Sequence, residues 1–153
     1  MTFSPRTPPL PVSDVAAAAA ALRRRGSRLS QPRRQVLEAL FAAREPVCAE
    51  DLAGGLDGRT TAVELTSVYR ALEYFEDLGI VRHVHFGHGP GLYALAGVNE
   101  REYLVCERCA QVLAVDASQL DPVREQIQAS FGYHASFSHF PIVGLCASCA
   151  EQD

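Results

Sequence analysis

The stretch TSVYRALEYFEDLGIV, residues 66–81, decides the fold of this chain. Its large apolar side chains recur at helical spacing and form one stripe, made of Val68, Leu72, Phe75 and Leu78. Polar and charged residues lie off this stripe, among them Ser67, Arg70 and Glu73. Gly79 follows, and glycine is the residue type that most often ends a helix. The stretch therefore predicts a helix that buries one face and exposes a polar one.

Short elements on both sides of this helix complete a known pattern. Upstream, the sequence predicts a helix at 15–25, a second that starts after Ser30 with Pro32 in its first turn, and a short third helix in AEDLAGGL, residues 49–56. Downstream, residues 80–86 alternate as a strand, HGPG turns the chain and residues 91–95 return. Helices followed by a two-stranded ribbon are typical of a winged helix-turn-helix, a DNA-binding fold.

The remainder of the chain predicts a second, smaller α+β unit. After a short linker near 96–99 we expect strands at 103–105 and 112–115, a helix at 118–131 and a last strand near 137–143. The predicted division is a disordered proline-rich tail at 1–14, a winged-helix domain at 15–96 and a second domain at 97–153. The fold class is therefore α+β.

The charge is distributed unevenly along the chain. Residues 1–44 carry a net charge of +6, from eight Arg against two acidic residues, whereas 45–97 and 98–153 each carry −5. The basic end predicts local contact with phosphate on an otherwise acidic body. No signal peptide or membrane span is recognisable, so we expect a cytoplasmic protein without a membrane partner. No catalytic triad, P-loop or dinucleotide fingerprint is present, and we expect no enzyme.

Four of the five cysteines form two C-x-x-C pairs, Cys106 with Cys109 and Cys146 with Cys149. Each two-residue gap lets a tight turn present both thiolates to one ion, so the pairs predict a tetrahedral structural zinc site. The alternatives are a redox-active dithiol or idle thiols, although a redox motif normally occurs singly. Cys48 stands apart from these pairs and is interpreted as a small buried apolar residue.

Three of the five histidines lie in RHVHFGHG, residues 82–89. His83 and His85 are two residues apart on a predicted strand, so their side chains are expected to leave the same face and could share a metal ion. A β-hairpin that merely carries histidines is the other interpretation. His88 lies between two glycines in the turn, and His134 is interpreted as a surface residue.

The segments LSQPRRQVLEAL, TSVYRALEYFEDLGIV, LVCERC and GLCASC resemble the Fur family of bacterial metal-responsive repressors, from about residue 15 to 149. LGIVRHVHFGHGPGLYAL and HFPIVGLCASC are most similar to its nickel-responsive branch, Nur. The resemblance implies a homodimer with a C-terminal dimerisation domain containing structural zinc, and a sensing metal site at the hinge. It also implies binding to double-stranded DNA at a palindromic operator.

The resemblance also implies which residues contact DNA. The helix that carries T-x-V-Y-R lies in the major groove in this family, so the corresponding candidates are Thr66, Ser67, Tyr69 and Arg70. Arg33 matches the Arg of the family's L-T-x-x-R motif, which contacts the DNA backbone or minor groove. In this chain the motif reads LSQPR, with Ser30 in place of Thr.

For the regulatory metal, the resemblance implies that His139 joins His83 and His85 as the third ligand, with Glu100 as a fourth, oxygen ligand. Three imidazoles favour Ni²⁺, Zn²⁺, Cu²⁺ or Fe²⁺, whereas an oxygen ligand shifts the preference towards Fe²⁺ or Mn²⁺. Glu102 and Asp121 are reserve oxygen ligands. The histidines that build a second site in Nur are replaced, by Pro46, Asn99, Arg101 and Tyr103.

The expected function is that of a metal-dependent repressor of metal uptake or homeostasis genes, with structural Zn²⁺ and regulatory Ni²⁺. An iron, zinc, manganese or peroxide sensor of the same family is the alternative. A thiol redox protein that uses the C-x-x-C pairs is the alternative from another class.

Overall fold

The computed structural model describes residues 7–86, 89–97 and 100–152. Its contacts divide the chain into two compact units. The first contains the described residues up to 83 together with 90–97, and the second contains 84–86, 89 and 100–152. None of the helices in these ranges is long and apolar enough to cross a membrane. Residues 84–86, in the predicted ribbon, thus group with the second unit, which the sequence did not indicate.

The first unit is built from helices and a small sheet. Its elements are α1 (Val15–Arg24), α2 (Gln31–Ala42), α3 (Ala49–Ala53), the single turn α4 (Gly55–Gly58), α5 (Leu65–Asp77), β1 (Val81–Val84, whose last residue groups with the second unit) and β2 (Leu92–Leu95). Strands β1 and β2 form a two-stranded sheet. Val47 adds an isolated antiparallel bridge, through backbone hydrogen bonds of 3.0 and 2.7 Å with Tyr93. The predicted succession of helices and ribbon is confirmed.

The core of the first unit forms around the inner face of α5. Val68, Leu72 and Phe75 are at most 1% exposed, and Leu78 is partly buried, which confirms the predicted stripe. They belong to one apolar cluster with residues of α1, α2 and α3, including Leu22, Leu37, Leu40 and Leu52. Burying this stripe excludes water from one side of α5 and leaves the other side in solvent.

The start of α2 and the end of α3 differ from expectation. Ser30 occupies the N-cap position of α2, but its side chain makes no capping hydrogen bond. Pro32, near the start of the helix, has no N–H to donate, which removes one of the amides that a serine cap would bind. The third predicted helix ends at Ala53 and is followed by α4, a left-handed turn in which Leu56 and Asp57 have φ of 51° and 56°.

The proline-rich N-terminal segment is packed where the structure describes it. The Leu10 N–H donates to the Gly79 carbonyl at 2.8 Å, and Val12 is 4% exposed within the core of the first unit. The expectation of a disordered tail through residue 14 therefore does not hold for residues 10–12, because Leu10 and Val12 contribute apolar surface to that core. Residues 1–6 lie outside the described residues.

The second unit contains a three-stranded sheet in the order β4-β3-β5. Strand β3 (Arg101–Cys106) pairs antiparallel with β4 (Val112–Asp116) and parallel with β5 (Ile142–Gly144). A 3-10 turn (Ala117–Leu120) leads into α6 (Asp121–Phe131), and α7 (Ala147–Ala150) closes the unit. The strand predicted at 137–143 is reduced to 142–144, because only these residues pair with β3.

Gly79 offers a test of the packed N-terminal segment. A Cβ at Gly79 would lie 2.2 Å from the Pro8 carbonyl oxygen, whereas one at Gly26 would meet nothing within 4 Å, and both residues have positive φ. We expect Gly26→Ala to lower the free energy of unfolding by about 1–2 kcal/mol, the cost of a left-handed L-residue. Gly79→Ala should cost about 1–3 kcal/mol more, because its Cβ also displaces the segment.

The measurement is chemical denaturation of the full chain and of a chain lacking residues 1–12. Deleting the segment should remove most of the difference between the two variants. An equal cost of both substitutions in the full chain would show that the segment does not pack against Gly79 in solution.

Candidate metal centres and nucleic-acid interface

The two C-x-x-C pairs meet because β3 and β5 run parallel. Cys106 is the last residue of β3 and lies opposite Gly144 of β5, so the chain that continues from β5 reaches Cys146 beside it. The four Sγ atoms all lie within 4.8 Å of one another, and those of Cys109 and Cys146 are 3.8 Å apart. Zn–S bonds of about 2.3 Å in a tetrahedron place sulfurs about 3.8 Å apart, so this donor set fits zinc.

The thiols of this cluster differ in acidity. Backbone N–H groups of Cys109 and Cys146 donate to the Cys106 sulfur, which lowers the pKa of Cys106 to about 6. Cys149 shares its proton with the Cys146 sulfur and is desolvated, which raises its pKa to about 12. Cys106 therefore loses its proton more readily than Cys149, and a divalent metal bound to the cluster would displace the proton of Cys149.

Two of the predicted regulatory ligands lie side by side in the second unit. The ring centroids of His85 and His139 are 5.2 Å apart, and the His85 N–H donates to the His139 carbonyl at 3.1 Å. Phe140 packs against both rings, at 5.9 Å from His85 and 4.6 Å from His139. His139 was predicted to lie in the last strand, but it lies outside a strand and beside His85.

His83 has a different environment, in the first unit. Its ring stacks on Tyr93 with centroids 4.4 Å apart, and its Nδ1 lies 4.0 Å from the Glu76 carboxylate. β1 ends at Val84, so the expectation that His83 and His85 lie on one strand is not met. The stack on Tyr93 fixes the plane of the His83 ring.

No cluster of three ligands forms around these histidines within residues 7–86, 89–97 and 100–152. The four cysteines are the only group of three or more His, Cys, Asp or Glu side chains that the structure holds close enough to share an ion there. Glu100 is partly buried in the second unit and does not join such a group. His88 and Asn99 lie outside the described residues, and His134 is exposed, as predicted.

The reserve oxygen ligands are engaged by an arginine. Arg124 donates to the Glu102 carboxylate, which is 5% exposed, and to Asp121 Oδ1 at 2.9 Å. Glu102 and Asp121 are therefore occupied by a guanidinium. Two positions at which the sequence resemblance predicts lost metal-binding histidines likewise make contacts within the unit. Arg101 faces Asp116 at 3.6 Å, and the buried Tyr103 packs edge-to-face on Phe86.

The predicted DNA-contacting residues of α5 lie at the start of this helix. Thr66 and Arg70 are exposed, Ser67 is partly buried, and Tyr69 is 44% exposed. Arg33, on α2, packs against the same helix, because its guanidinium carbon lies 3.5 Å above the centre of the Tyr74 ring. The Tyr74 hydroxyl hydrogen-bonds Ser27 at 2.8 Å, which fixes the ring beneath Arg33.

Several contacts at these sites were not predicted. Glu64 caps α5, although glutamate is not among the favoured N-cap residues, so no motif signals it. Glu50 on α3 accepts a hydrogen bond from the Tyr69 hydroxyl, a contact between residues 19 positions apart in sequence. The only signal for the role of Arg124 was its i, i+3 spacing from Asp121. Cys48, predicted as buried, is partly exposed.

The comparisons with known proteins agree with this architecture. A model of the ferric uptake regulator family matches residues 24–140. The ferric uptake regulation protein of Escherichia coli strain K12 is 30% identical over 139 residues, which cover 87% of this chain and 92% of that protein. The peroxide-responsive repressor PerR of Staphylococcus epidermidis is 23% identical over 133 residues, which cover 87% of this chain and 88% of that protein.

Among solved structures, the ferric uptake regulator of Vibrio cholerae superposes with a TM-score of 0.63 at 26% identity, covering 84% of this chain and 99% of that one. Members of the family are DNA-binding regulators rather than enzymes, and they act as dimers. The family model spans most of the sequence, and the Escherichia coli protein is similar over nearly all of it. This chain therefore belongs to the ferric uptake regulator family of metal-responsive transcriptional regulators.

Proposed function

We propose that this protein is a nickel-responsive repressor of metal uptake or homeostasis genes. The observation that carries the proposal is the pairing of His85 with His139, which are 54 residues apart in sequence and 5.2 Å apart between ring centroids. Two adjacent imidazoles are a borderline-soft donor pair, which suits Ni²⁺ and Zn²⁺ better than Mg²⁺ or Ca²⁺. His83 is the third ligand in this proposal and Glu100 the fourth.

Sensing then works by linkage between two binding equilibria. A metal that binds His83 together with His85 and His139 favours the arrangement of the two units in which it is held, at the expense of the others. If that arrangement is the one that fits DNA, metal and DNA must increase each other's affinity by the same factor. Any reorientation of His83 that breaks its stack on Tyr93 would cost free energy, lower the affinity for the metal and so set the concentration at which the protein responds.

The outer face of α5 is the proposed DNA-reading surface, in the major groove of a palindromic operator. Arg70 is exposed there, beside Tyr69, which is 44% exposed, and the basic residues of the 1–44 segment supply contacts to phosphate. Arg33 is held by its stack on Tyr74, which reduces the entropy that a phosphate contact would cost. In an acidic chain with a local basic segment, the sequence-independent attraction to DNA is expected to come from that segment.

The second unit carries the proposed homodimer interface. Its described residues include many exposed large apolar side chains, namely Val112, Leu113, Val123, Phe131, Tyr133, Phe140, Val143 and Leu145. Helix α6 has no buried residue, although it contributes Val123 and Phe131 to this surface. Apolar exposure of this extent marks an association surface, and a second copy of the chain would cover it.

A thiol redox protein is the rival from another class. The four-sulfur cluster argues against it, because Sγ atoms within 4.8 Å of one another satisfy the geometry of a metal site. A dithiol enzyme would keep one pair accessible for exchange, whereas Cys106 and Cys149 are 5% and 7% exposed.

The zinc site gives the first test of this proposal. We expect one zinc per chain that survives mild chelation, and the loss of both zinc and the second unit's fold in Cys149→Ser, because the metal holds β3, β5 and α7 together. Elemental analysis and circular dichroism measure these quantities, with Cys48→Ser as the matched control. A zinc-free protein that retains its fold and forms reversible disulfides would support the redox protein instead.

Metal-dependent DNA binding tests the sensing site. The measurement is a gel-shift titration on DNA from upstream of the protein's own gene, with Ni²⁺, Zn²⁺, Mn²⁺ or Fe²⁺. Ni²⁺ should promote binding at the lowest concentration, and His83→Ala, His85→Ala and His139→Ala should each raise that concentration about tenfold or more, because a lost ligand costs over 1.4 kcal/mol. His134→Ala, an exposed histidine outside the site, is the control.

The outcomes of this titration separate the alternatives. If another metal acts at a lower concentration than Ni²⁺, the nickel assignment is wrong and the protein senses that metal. If Fe²⁺-dependent binding is lost on exposure to peroxide with oxidation of a ligand histidine, peroxide is the signal. A normal response of all three histidine variants would refute the site.

The homodimer is tested by one charged substitution on the exposed apolar surface. Val143 is 57% exposed on β5, so Val143→Asp should leave the isolated unit folded but raise the dimer dissociation constant about tenfold or more, because an interface must then bury a carboxylate. Sedimentation equilibrium measures the dissociation constant. Thr61→Asp, which adds the same charge at an exposed residue of the first unit, is the control. Equal dissociation constants for Val143→Asp and wild type would place the interface elsewhere.

A further inference from the structure

The amide groups at the start of α5 are occupied by a carboxylate of the same chain. Glu64 Oε1 accepts from the Thr66 N–H at 3.1 Å, and Glu64 Oε2 accepts from the Ser67 N–H at 3.1 Å and the Ser67 hydroxyl at 3.2 Å. These donations lower the pKa of Glu64, with the Thr66 amide as the largest cause, so the group carries its full charge at neutral pH. Thr66 and Ser67, two of the proposed DNA-contacting residues, therefore already donate hydrogen bonds to a carboxylate.

A second carboxylate, that of Glu50, accepts a hydrogen bond from a third proposed DNA-contacting residue. The Tyr69 hydroxyl donates to Glu50 Oε1 at 3.0 Å, and Glu50 projects from α3, the helix that precedes the α4 turn. Both Glu50 and Tyr69 are exposed, so the contact forms in solvent and can be exchanged. Glu64 thus accepts hydrogen bonds from Thr66 and Ser67, and Glu50 accepts one from Tyr69. Arg70, the fourth proposed contact residue on α5, donates to neither carboxylate in the described structure.

The groups that these carboxylates bind are the ones that a DNA phosphate would use. Backbone N–H groups at a helix start attract phosphate through both hydrogen bonds and the helix dipole, and hydroxyl groups supply most other backbone contacts. A carboxylate satisfies the same donors and carries the same sign of charge. A phosphate can reach them only by displacing a fixed anion, and it is also repelled by that anion.

Bases differ from phosphates in this respect. Cytosine and adenine present an amino group in the major groove, and a carboxylate accepts a hydrogen bond from such a group while keeping its bonds to the protein. A carboxylate on the outer face of α5 thus lowers the affinity for every duplex, because its charge repels phosphate. Only a duplex whose bases present amino groups opposite the carboxylate regains this affinity, through hydrogen bonds. The consequence is a larger ratio of specific to non-specific affinity, which is the quantity that selects an operator within a genome.

We propose that Glu50 and Glu64 are specificity-determining residues, which suppress non-specific binding by occupying the phosphate-binding groups of α5 and read amino groups of bases in the operator. This inference rests on the proposed DNA-binding function of α5. The two carboxylates act as internal competitors of phosphate. They therefore limit the sequence-independent attraction exerted by the basic segment at 1–44.

The test compares operator and scrambled DNA. Fluorescence anisotropy with the full-length, metal-loaded protein measures dissociation constants for the upstream duplex and for a scrambled duplex of equal length and composition, at several salt concentrations. Glu64→Gln and Glu50→Gln remove the charge and keep the shape. Glu125→Gln, an exposed residue of α6, is the matched control for net charge, and the variants' unfolding temperatures are measured alongside.

We expect each substitution to tighten binding to scrambled DNA about three- to tenfold, the effect of one close charge in a surface environment. Binding to the operator should change less or weaken, so that the specificity ratio falls about tenfold. Glu125→Gln should match wild type on both duplexes. If Glu64→Gln unfolds, Glu64→Ser replaces it, because serine caps a helix without a charge.

Three results would overturn the inference: equal tightening on both duplexes, no tightening on scrambled DNA, or an effect of Glu125→Gln as large as that of Glu64→Gln. Failure of the proposed function itself has a different signature. In that case wild type would not prefer the operator, and Arg70→Ala would leave binding to it unchanged.

Discussion

The first unit depends on the burial of one face of α5. Val68, Leu72 and Phe75 are essentially excluded from water, and helices α1, α2 and α3 reach the same cluster through their own apolar residues. A helix fixed in this way cannot rotate without exposing its stripe, which would cost several kcal/mol for three large side chains. The rigid inner face therefore fixes the direction of the outer one. The positions of Tyr69 and Arg70 therefore follow from the packing of the opposite face of the helix.

The second unit is organised by a different constraint, the parallel pairing of β3 with β5. Only three residue pairs join these strands, yet the pairing brings Cys146 beside Cys106. Few side chains of this unit are buried, and many large apolar ones are exposed. The core formed by its described residues is thus small. Under the proposed function, a bound metal and a second copy of the chain would each add to its stability.

The sequence predicted what depends on local periodicity or on fixed spacing. The stripe of α5, the turn at Gly79 and the two C-x-x-C pairs all follow from patterns within a few residues. What escaped prediction depends on contacts between distant segments. The paired length of β5 is set by β3, and Tyr93 determines the orientation of His83. The partner of Glu102 is Arg124, 22 residues later. Periodicity carries no information about such partners, because each is decided by tertiary packing.

This distinction explains why the structure differs most from the prediction at His83 and His85. Alternation along a strand places His83 and His85 on one face, but it assumes that the strand continues through both residues. The strand ends at Val84, and the two rings have different neighbours, Tyr93 for His83 and His139 for His85. A ligand set that lies ready in one place would bind metal without changing the protein. Under the proposed function, a metal held by His83, His85 and His139 would join two packing environments, and this joining would couple metal binding to conformation.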